Sequence, residues 1–315
     1  MHVVFGAGQV GTALARTLLA RGHRVRLAHR SGSAPDGTES LKGDVTDGGF
    51  TAKAAEGAAA IYHCVNPLYF TSVWARELPR IADGLIGAAA RSGARLVAID
   101  NLYLYGRPKG RELDEESPIA PSSRKGEIRA KIGERYLDAH RKGNAHVVIG
   151  RASDFYGPGA TMSHFGDPFW PKALSKGLAQ LLIRTDTPHT YHYLPDVALA
   201  LAQLGEAPDD VLGRAWMLPC APADTTAGMV RSIGAVLGRE LKIQRMPGWM
   251  LSALGVFVPL LRELAEMSYQ WEEPFVVSDR RFRERFGAQA VATPLESGVR
   301  ATVEWAMQHY SAQAR

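Results

Sequence analysis

Cysteine is scarce in this 315-residue chain: only Cys64 and Cys220 occur, and neither belongs to a C-x-x-C pair. No metal or redox motif is therefore visible, and such usage fits a reducing compartment, the cytoplasm. A charged leader is also missing, since Met1 is followed at once by His2, Val3, Val4 and Phe5, and no secretory signal is expected. Long apolar runs are absent too. The most apolar late stretch, residues 249–261, contains Gly255 and Pro259 and falls short of the ~20 residues a membrane helix needs. It reads as a buried helix or a pocket wall, with membrane contact the minor alternative. There is no G-x-S-x-G elbow and no H-E-x-x-H, so hydrolase chemistry lacks support. Internal repeats and low-complexity segments are missing as well.

What is present is an ordinary soluble composition, 46% hydrophobic and 22% charged, which excludes a disordered chain. A net charge of +5 is mild over this length and does not demand nucleic acid. The densest basic run, Arg280, Arg281, Arg283 and Arg285, is interleaved with Phe282 and Phe286 and reads as a solvated helix face.

Short apolar runs alternate with helical stretches through the first half. Strands are expected at 2–5, 24–29, 40–42, 59–63, 95–100 and 146–150, and helices at 10–21, 74–91 and 125–140. Strand–helix–strand repetition predicts an α/β fold: a Rossmann-type, doubly wound parallel sheet. After Gly157 prolines recur at 158, 168, 171, 188, 195, 208, 219 and 222, which predicts long loops and short elements. The expected organisation is a dinucleotide-binding domain over 1–157. A smaller C-terminal substrate-binding lobe follows over 158–315, some of its segments returning to the sheet.

Gly6, Gly8 and Gly11, with Gln9 and Val10 between, spell G-x-G-x-x-G between a strand and a helix. That context predicts a dinucleotide turn, with the pyrophosphate on the helix N-terminus. The second strand ends in His29, Arg30 and Ser31, with no carboxylate to repel a 2′-phosphate, so NADP is expected, with NAD the alternative. Asp44 could accept the adenine amino group or cap its own loop. Ligands of such sheets bind beyond the carboxyl ends of the strands, which adds Asn66, Ala152 and Ser153 to the cofactor candidates.

Three segments carry a family resemblance. Gly6 to Gly11 resembles the glycine motif of the short-chain dehydrogenase/reductases. Asp100-Asn101-Leu102-Tyr103-Leu104-Tyr105-Gly106 resembles the end of their active-site strand. Gly150-Arg151-Ala152-Ser153-Asp154-Phe155-Tyr156-Gly157-Pro158-Gly159 resembles the R-x-x-N-x-Y-G-P-G segment of their extended branch, the NAD-dependent epimerase/dehydratase type. The resemblance implies a catalytic Tyr-x-x-x-Lys on the next helix, but those places hold Gly126 and Ala130, and Asn101 replaces the family serine. The chain is thus an atypical member.

Tyr103 is the substitute proton donor by position, or else an aromatic pocket wall. Asn101, two residues earlier on an extended strand, should project to the same side and could donate a hydrogen bond to the substrate oxygen. Lys125, or Lys131, could supply positive charge, although lysines are more often solvated. Tyr105 is expected to be structural. Asp154 could orient a ligand hydroxyl or satisfy its own loop. His189 and His192, read on one strand, should face opposite sides, so no metal site is expected. Pro67, Tyr69, Phe70, Trp74, Phe165, Phe169, Trp170, Met246, Trp249 and Met250 are expected to line an apolar pocket. The leading expectation is an NAD(P)H-dependent reductase of a hydrophobic or aromatic carbonyl compound, of the kind met in secondary metabolism. The alternatives are an epimerase or dehydratase that retains its cofactor, and a non-catalytic dinucleotide sensor. A homodimer through the sheet-face helices is compatible with the sequence; nucleic acid and membrane partners are not expected.

Overall fold

The structure is a computed structural model that describes residues 1–30, 33–181, 184–245 and 258–313. Ser31, Met246, Trp249 and Met250 lie outside the described residues, as does most of the apolar stretch 249–261.

The chain opens with β1 (His2–Phe5), α1 (Gln9–Ala20), β2 (Val25–His29), β3 (Glu39–Lys42), α2 (Gly48–Ala54), β4 (Ala60–His63), α3 (Thr71–Ser92) and β5 (Arg95–Asp100). A 3-10 turn (Tyr103–Tyr105), α4 (Arg124–Arg141), β6 (His146–Arg151), β7 (Asp154–Tyr156), α5 (Trp170–Lys176), β8 (Leu178–Leu181), β9 (Pro188–His189) and β10 (Tyr191–Tyr193) follow. The last part carries α6 (Leu194–Glu206), β11 (Ala215–Met217), β12 (Asp224–Thr225), α7 (Thr226–Val236) and β13 (Lys242–Arg245). It ends with α8 (Pro259–Ala265), α9 (Arg280–Phe286) and α10 (Leu295–Gln313).

The contacts divide the chain into two units. The first comprises Met1–Leu104, Ile119–Ala152 and Val197–Leu218. It holds a seven-stranded parallel sheet in the order β11-β6-β5-β4-β1-β2-β3. The inner strands are apolar on both faces: β1 and β4 are buried throughout, as strands covered by helices on both sides must be. In α1 the buried positions Val10, Leu14 and Leu18 recur at helical spacing. α3 starts three residues earlier than its apolar pattern suggests and stops where Gly93 turns left-handed, with φ 69°. The core gathers Val3, Phe5, Ile61, Trp74, Leu78, Leu85, Leu96 and Ile149. Strand order reverses direction around β1, and β1, β4 and β5 lie side by side. The loops after them therefore share one edge of the sheet.

The second unit comprises Tyr105–Pro118, Ser153–Asp196 and Pro219–Arg315. Its pairings are short: β7 with β10 and β8 with β13 in parallel, β9 with β12 antiparallel. Phe165, Phe169 and Trp170 are completely or almost completely buried and form its core with Tyr191, Met229, Ile233, Trp271 and Val303. The expectation that these three line a pocket is therefore corrected: edge-to-face contacts among them fill the interior. The basic run forms α9, with Phe282 and Phe286 buried and Arg280 81% exposed. Among the described residues, no helix is long and apolar enough to cross a membrane.

Candidate functional site

The glycine turn is built by close approach. Gly6 has φ +109°, and a Cβ there would lie 2.9 Å from the carbonyl carbon of Cys64. A Cβ on Gly11 would strike the Gly6 carbonyl oxygen, which locks the first turn of α1 onto β1. At Gly8 a Cβ would meet nothing, so the backbone there is open to a ligand. Gly8 caps α1 without a side chain, and Gln9 and Val10 form its first turn, which carries no acidic residue. Free N–H groups and the helix dipole favour an anion at such an end, and the residues present fit a dinucleotide pyrophosphate.

At the rim of β2 the candidates part. His29 is buried, and its Nε2 is bonded to Ser40 Oγ at 2.9 Å, so it turns into the sheet. Arg30 is exposed. The Asp44 Oδ1 accepts from the backbone and hydroxyl of Thr46 at 2.8 and 2.9 Å, which makes it a loop cap. Those bonds, then the nearby Arg30 and Arg80, hold its carboxyl below the ordinary value against the effect of burial.

The loops after β4 and β5 bring a second group together. The hydroxyls of Tyr69 and Tyr103 are hydrogen-bonded at 3.1 Å. Trp74, completely buried, stacks on Tyr103 with ring centres 6.2 Å apart and meets Tyr69 edge-on at 5.4 Å. Lys125, at the start of α4, is also completely buried; its Nζ donates to Thr71 Oγ1 at 3.2 Å and lies 4.6 Å from the centre of the Tyr69 ring. The general expectation of a solvated lysine is thus corrected, while Lys131 is exposed. The extended path through Asn101 and Tyr103 is corrected as well. β5 ends at Asp100, and Tyr103 opens a 3-10 turn. Asn101 Oδ1 accepts from the Tyr103 backbone N–H at 3.2 Å, so Asn101 holds the turn that carries Tyr103. Sequence reasoning placed Tyr69 only in a pocket wall and missed Thr71 and Arg129. The signal for Tyr69 and Thr71, a run of polar and aromatic groups just past β4, has no fixed motif, and Arg129 lies apart from it on α4.

Beneath this group lie buried charges. Arg129 Nη2 donates to Asn66 Oδ1 at 2.7 Å, and Nη1 lies 3.4 Å from Asp100 Oδ1; its guanidinium also covers the Trp74 ring at 4.5 Å. Arg151 Nε is 3.7 Å from Asp100 Oδ2. A void of about 10 Å³ is lined by His63, Asp100, Arg129 and Tyr136, enough for one water. Asn66 itself is exposed. Burial lowers the His63 imidazole to about 3 and raises the Cys64 thiol to about 12, so neither is a ready proton carrier at neutral pH.

Ala152 is buried in the first unit, and Ser153 opens the second. The Ser153 backbone N–H donates to His192 Nδ1 at 3.1 Å, and its Oγ lies 3.3 Å from His189 Nε2. Thr190 separates β9 from β10, so strict alternation is interrupted and both histidines reach Ser153, contrary to the expectation of opposite faces. His189 Nε2 also contacts Asp154 Oδ2 at 2.9 Å, while Nδ1 lies 3.2 Å from the Gln270 carbonyl. Serine and acid thus share one ring nitrogen. A catalytic triad needs them on opposite nitrogens, so this cluster is no hydrolase site. Burial would raise the Asp154 carboxyl, but His189, with His164 and His192 nearby, holds it below the ordinary range.

A family model described as the NAD dependent epimerase/dehydratase family matches residues 2–217. No curated protein matches the chain. Among solved structures, a dTDP-glucose 4,6-dehydratase from Streptomyces venezuelae, with NAD bound, superposes with a TM-score of 0.80 at 17% identity, covering 99% of this chain and 98% of that one. A UDP-glucuronic acid 4-epimerase from Bacillus cereus in complex with NAD gives 0.76 at 13%, covering 98% and 100%. A UDP-galactose 4-epimerase gives 0.76 at 18%, covering 98% and 99%. At these identities the likeness is one of fold.

Proposed function

The chain belongs to the NAD dependent epimerase/dehydratase family, and from that premise we propose that it is an oxidoreductase that reduces the carbonyl of a small, mainly apolar compound with NADPH. One observation carries the reading. A hydrogen-bonded tyrosine pair, Tyr69 and Tyr103, stands at the ends of β4 and β5, on the sheet edge where β1 opens into its glycine turn. When bound, the reduced nicotinamide supplies a hydride. Tyr103 gives its proton to the substrate oxygen, a role general acids fill for about 10²–10⁴-fold in rate. Asn101 fixes the turn beneath Tyr103, and Trp74 fixes its ring. Leu68, 69% exposed, with Tyr69 and Phe70, offers an apolar surface beside the hydroxyl. Arg30 pairs with a 2′-phosphate, and Asn66, its oxygen committed to Arg129, turns its amide nitrogen to the cofactor.

Binding of NADPH and NADH, followed by tryptophan quenching, tests the first half. Tighter NADPH binding that is lost in Arg30→Ala is expected; NADH preference would remove the role of Arg30. NADPH oxidation against a panel of quinones, diketones and aromatic ketones tests the second. Tyr103→Phe should lower kcat at least about 100-fold and leave NADPH affinity unchanged. Undiminished turnover in that variant would sink the assignment.

A second reading follows from the family itself: epimerisation or dehydration with the nicotinamide returned to its starting state. It differs in one readout, substrate conversion without net NADPH consumption. Loss of dinucleotide binding altogether would move the chain to a non-redox role.

A further inference from the structure

We propose that Tyr69 and Lys125 complete a proton relay with Tyr103, assembled from three elements in place of a tyrosine and lysine on one helix. The inference rests on the reading above and adds two residues to it. Tyr103 comes from the turn after β5, Tyr69 from the loop between β4 and α3, and Lys125 from the first turn of α4. The path has two links. The Tyr69 and Tyr103 hydroxyls lie 3.1 Å apart, within proton-transfer distance. The Lys125 ammonium lies 4.6 Å from the Tyr69 ring centre. A cation over a phenol ring is attracted to its π face, and the attraction strengthens when the ring becomes a phenolate. Thr71 Oγ1 holds the ammonium there, and complete burial of Lys125 reduces screening by water. The edge and stacked contacts of Trp74 restrain both tyrosine rings.

As the carbonyl carbon is reduced, its oxygen gains an electron pair and takes the proton from Tyr103 Oη. Tyr103 Oη takes the proton of Tyr69 Oη in turn. Tyr69 is left as a phenolate facing Lys125, and a proton from solvent restores it. The relay moves protons only, and the hydride's two electrons come from the dinucleotide proposed above. Tyr103 is the catalytic residue of the three; Tyr69 relays, and Lys125 positions charge.

The test uses Tyr69→Phe, Lys125→Met and Lys125→Arg in the full chain, with two readouts. The first is the ultraviolet absorbance of tyrosinate during an alkaline titration without substrate. Six tyrosines, Tyr62, Tyr136, Tyr156, Tyr191, Tyr193 and Tyr310, are pushed above their ordinary range by burial, which leaves Tyr69, Tyr103 and the buried Tyr105 and Tyr269 for any earlier step. That step should move up by about one pH unit or more in Lys125→Met, the effect of losing an opposite charge at this range, and return in Lys125→Arg. Tyr69→Phe, which removes one hydroxyl and little volume, should lower the amplitude of the step and serves if Lys125→Met does not fold. The second readout is the pH profile of kcat, whose alkaline limb should shift in the same order, with NADPH affinity unchanged. Titrations and profiles that superimpose on wild type in both Tyr69→Phe and Lys125→Met overturn the relay. If Tyr103→Phe is then still inactive, the proposed reductase stands without it. Tyrosinate shifts in a protein that binds no dinucleotide would leave the charge coupling and remove the reaction.

Discussion

At Gly126 there is no room for a side chain. A Cβ there would collide with the Tyr103 carbonyl oxygen and lie 2.9 Å from the Pro121 Cβ. Ser123 caps the helix by accepting from the Gly126 N–H at 3.0 Å, which seats the first turn of α4 against the Tyr103 turn. Gly126→Ala should cost about 1–3 kcal/mol, as overpacking does, read as a lower urea midpoint. Gly126→Tyr should lower turnover by displacing Tyr103; a gain in turnover would show that a tyrosine at this position can serve the reaction. The place of Tyr103 just beyond β5 is legible in the sequence because it lies at a fixed distance from a strand end. The burial of Lys125 is not, since Tyr69 and Thr71, which surround it, stand more than fifty positions away and follow no periodicity.

Between elements, α4 is tied to β5 by charge as well as by apolar contact. Asp100 is 8% exposed and shares its carboxylate with Arg129 and Arg151, 7% and 4% exposed. Breaking such a buried set from one side costs about 3–5 kcal/mol because the remaining charge is left uncompensated. Asp100→Ala, which strands two guanidiniums, should therefore destabilise the first unit by about that amount in urea unfolding. Arg129→Met should cost less, because Arg151 still pairs with Asp100 while the Trp74 face and Asn66 lose their cation. Equal losses would mean that Arg129 acts through packing alone. The first unit's strands β1 to β6 and its helices α1, α3 and α4 show their patterns in the sequence because the helices are long enough to show their period and glycines mark the turns, whereas α6 and the three-residue β11 do not. The second unit hides its design in strands of two to four residues, where period two cannot be told from chance. That is why His189 and His192 read as one strand with opposite faces, and why Phe165, Phe169 and Trp170 read as pocket lining.

For the molecule as a whole, the buried histidines set the response to acid. Burial, then the neighbouring His23, lowers the His2 imidazole to about 4 despite Glu206, and His2 Nδ1 is held 2.8 Å from the Tyr62 hydroxyl. Burial and Arg129 take His63 to about 3, where its Nδ1 lies 2.8 Å from Tyr136 Oη. Both fold as neutral rings, so below pH about 6.5 the unfolded chain binds protons that the native chain does not. Stability therefore falls as the pH drops through 6.5 and continues to fall towards 4 for His2 and 3 for His63. At pH 5 each site costs about 2 kcal/mol, at 1.4 kcal/mol per unit. Asp154 acts in the same direction lower down: held below the ordinary carboxylate range, it stabilises above that range and loses its contribution as the carboxyl protonates. Urea midpoints at pH 7 and pH 5 should differ accordingly, and His2→Gln, which cannot take up the proton, should narrow the difference. A pH dependence unchanged in His2→Gln and in His63→Gln would mean that neither ring is kept neutral by the fold, and that other groups, His164 among them, govern acid unfolding.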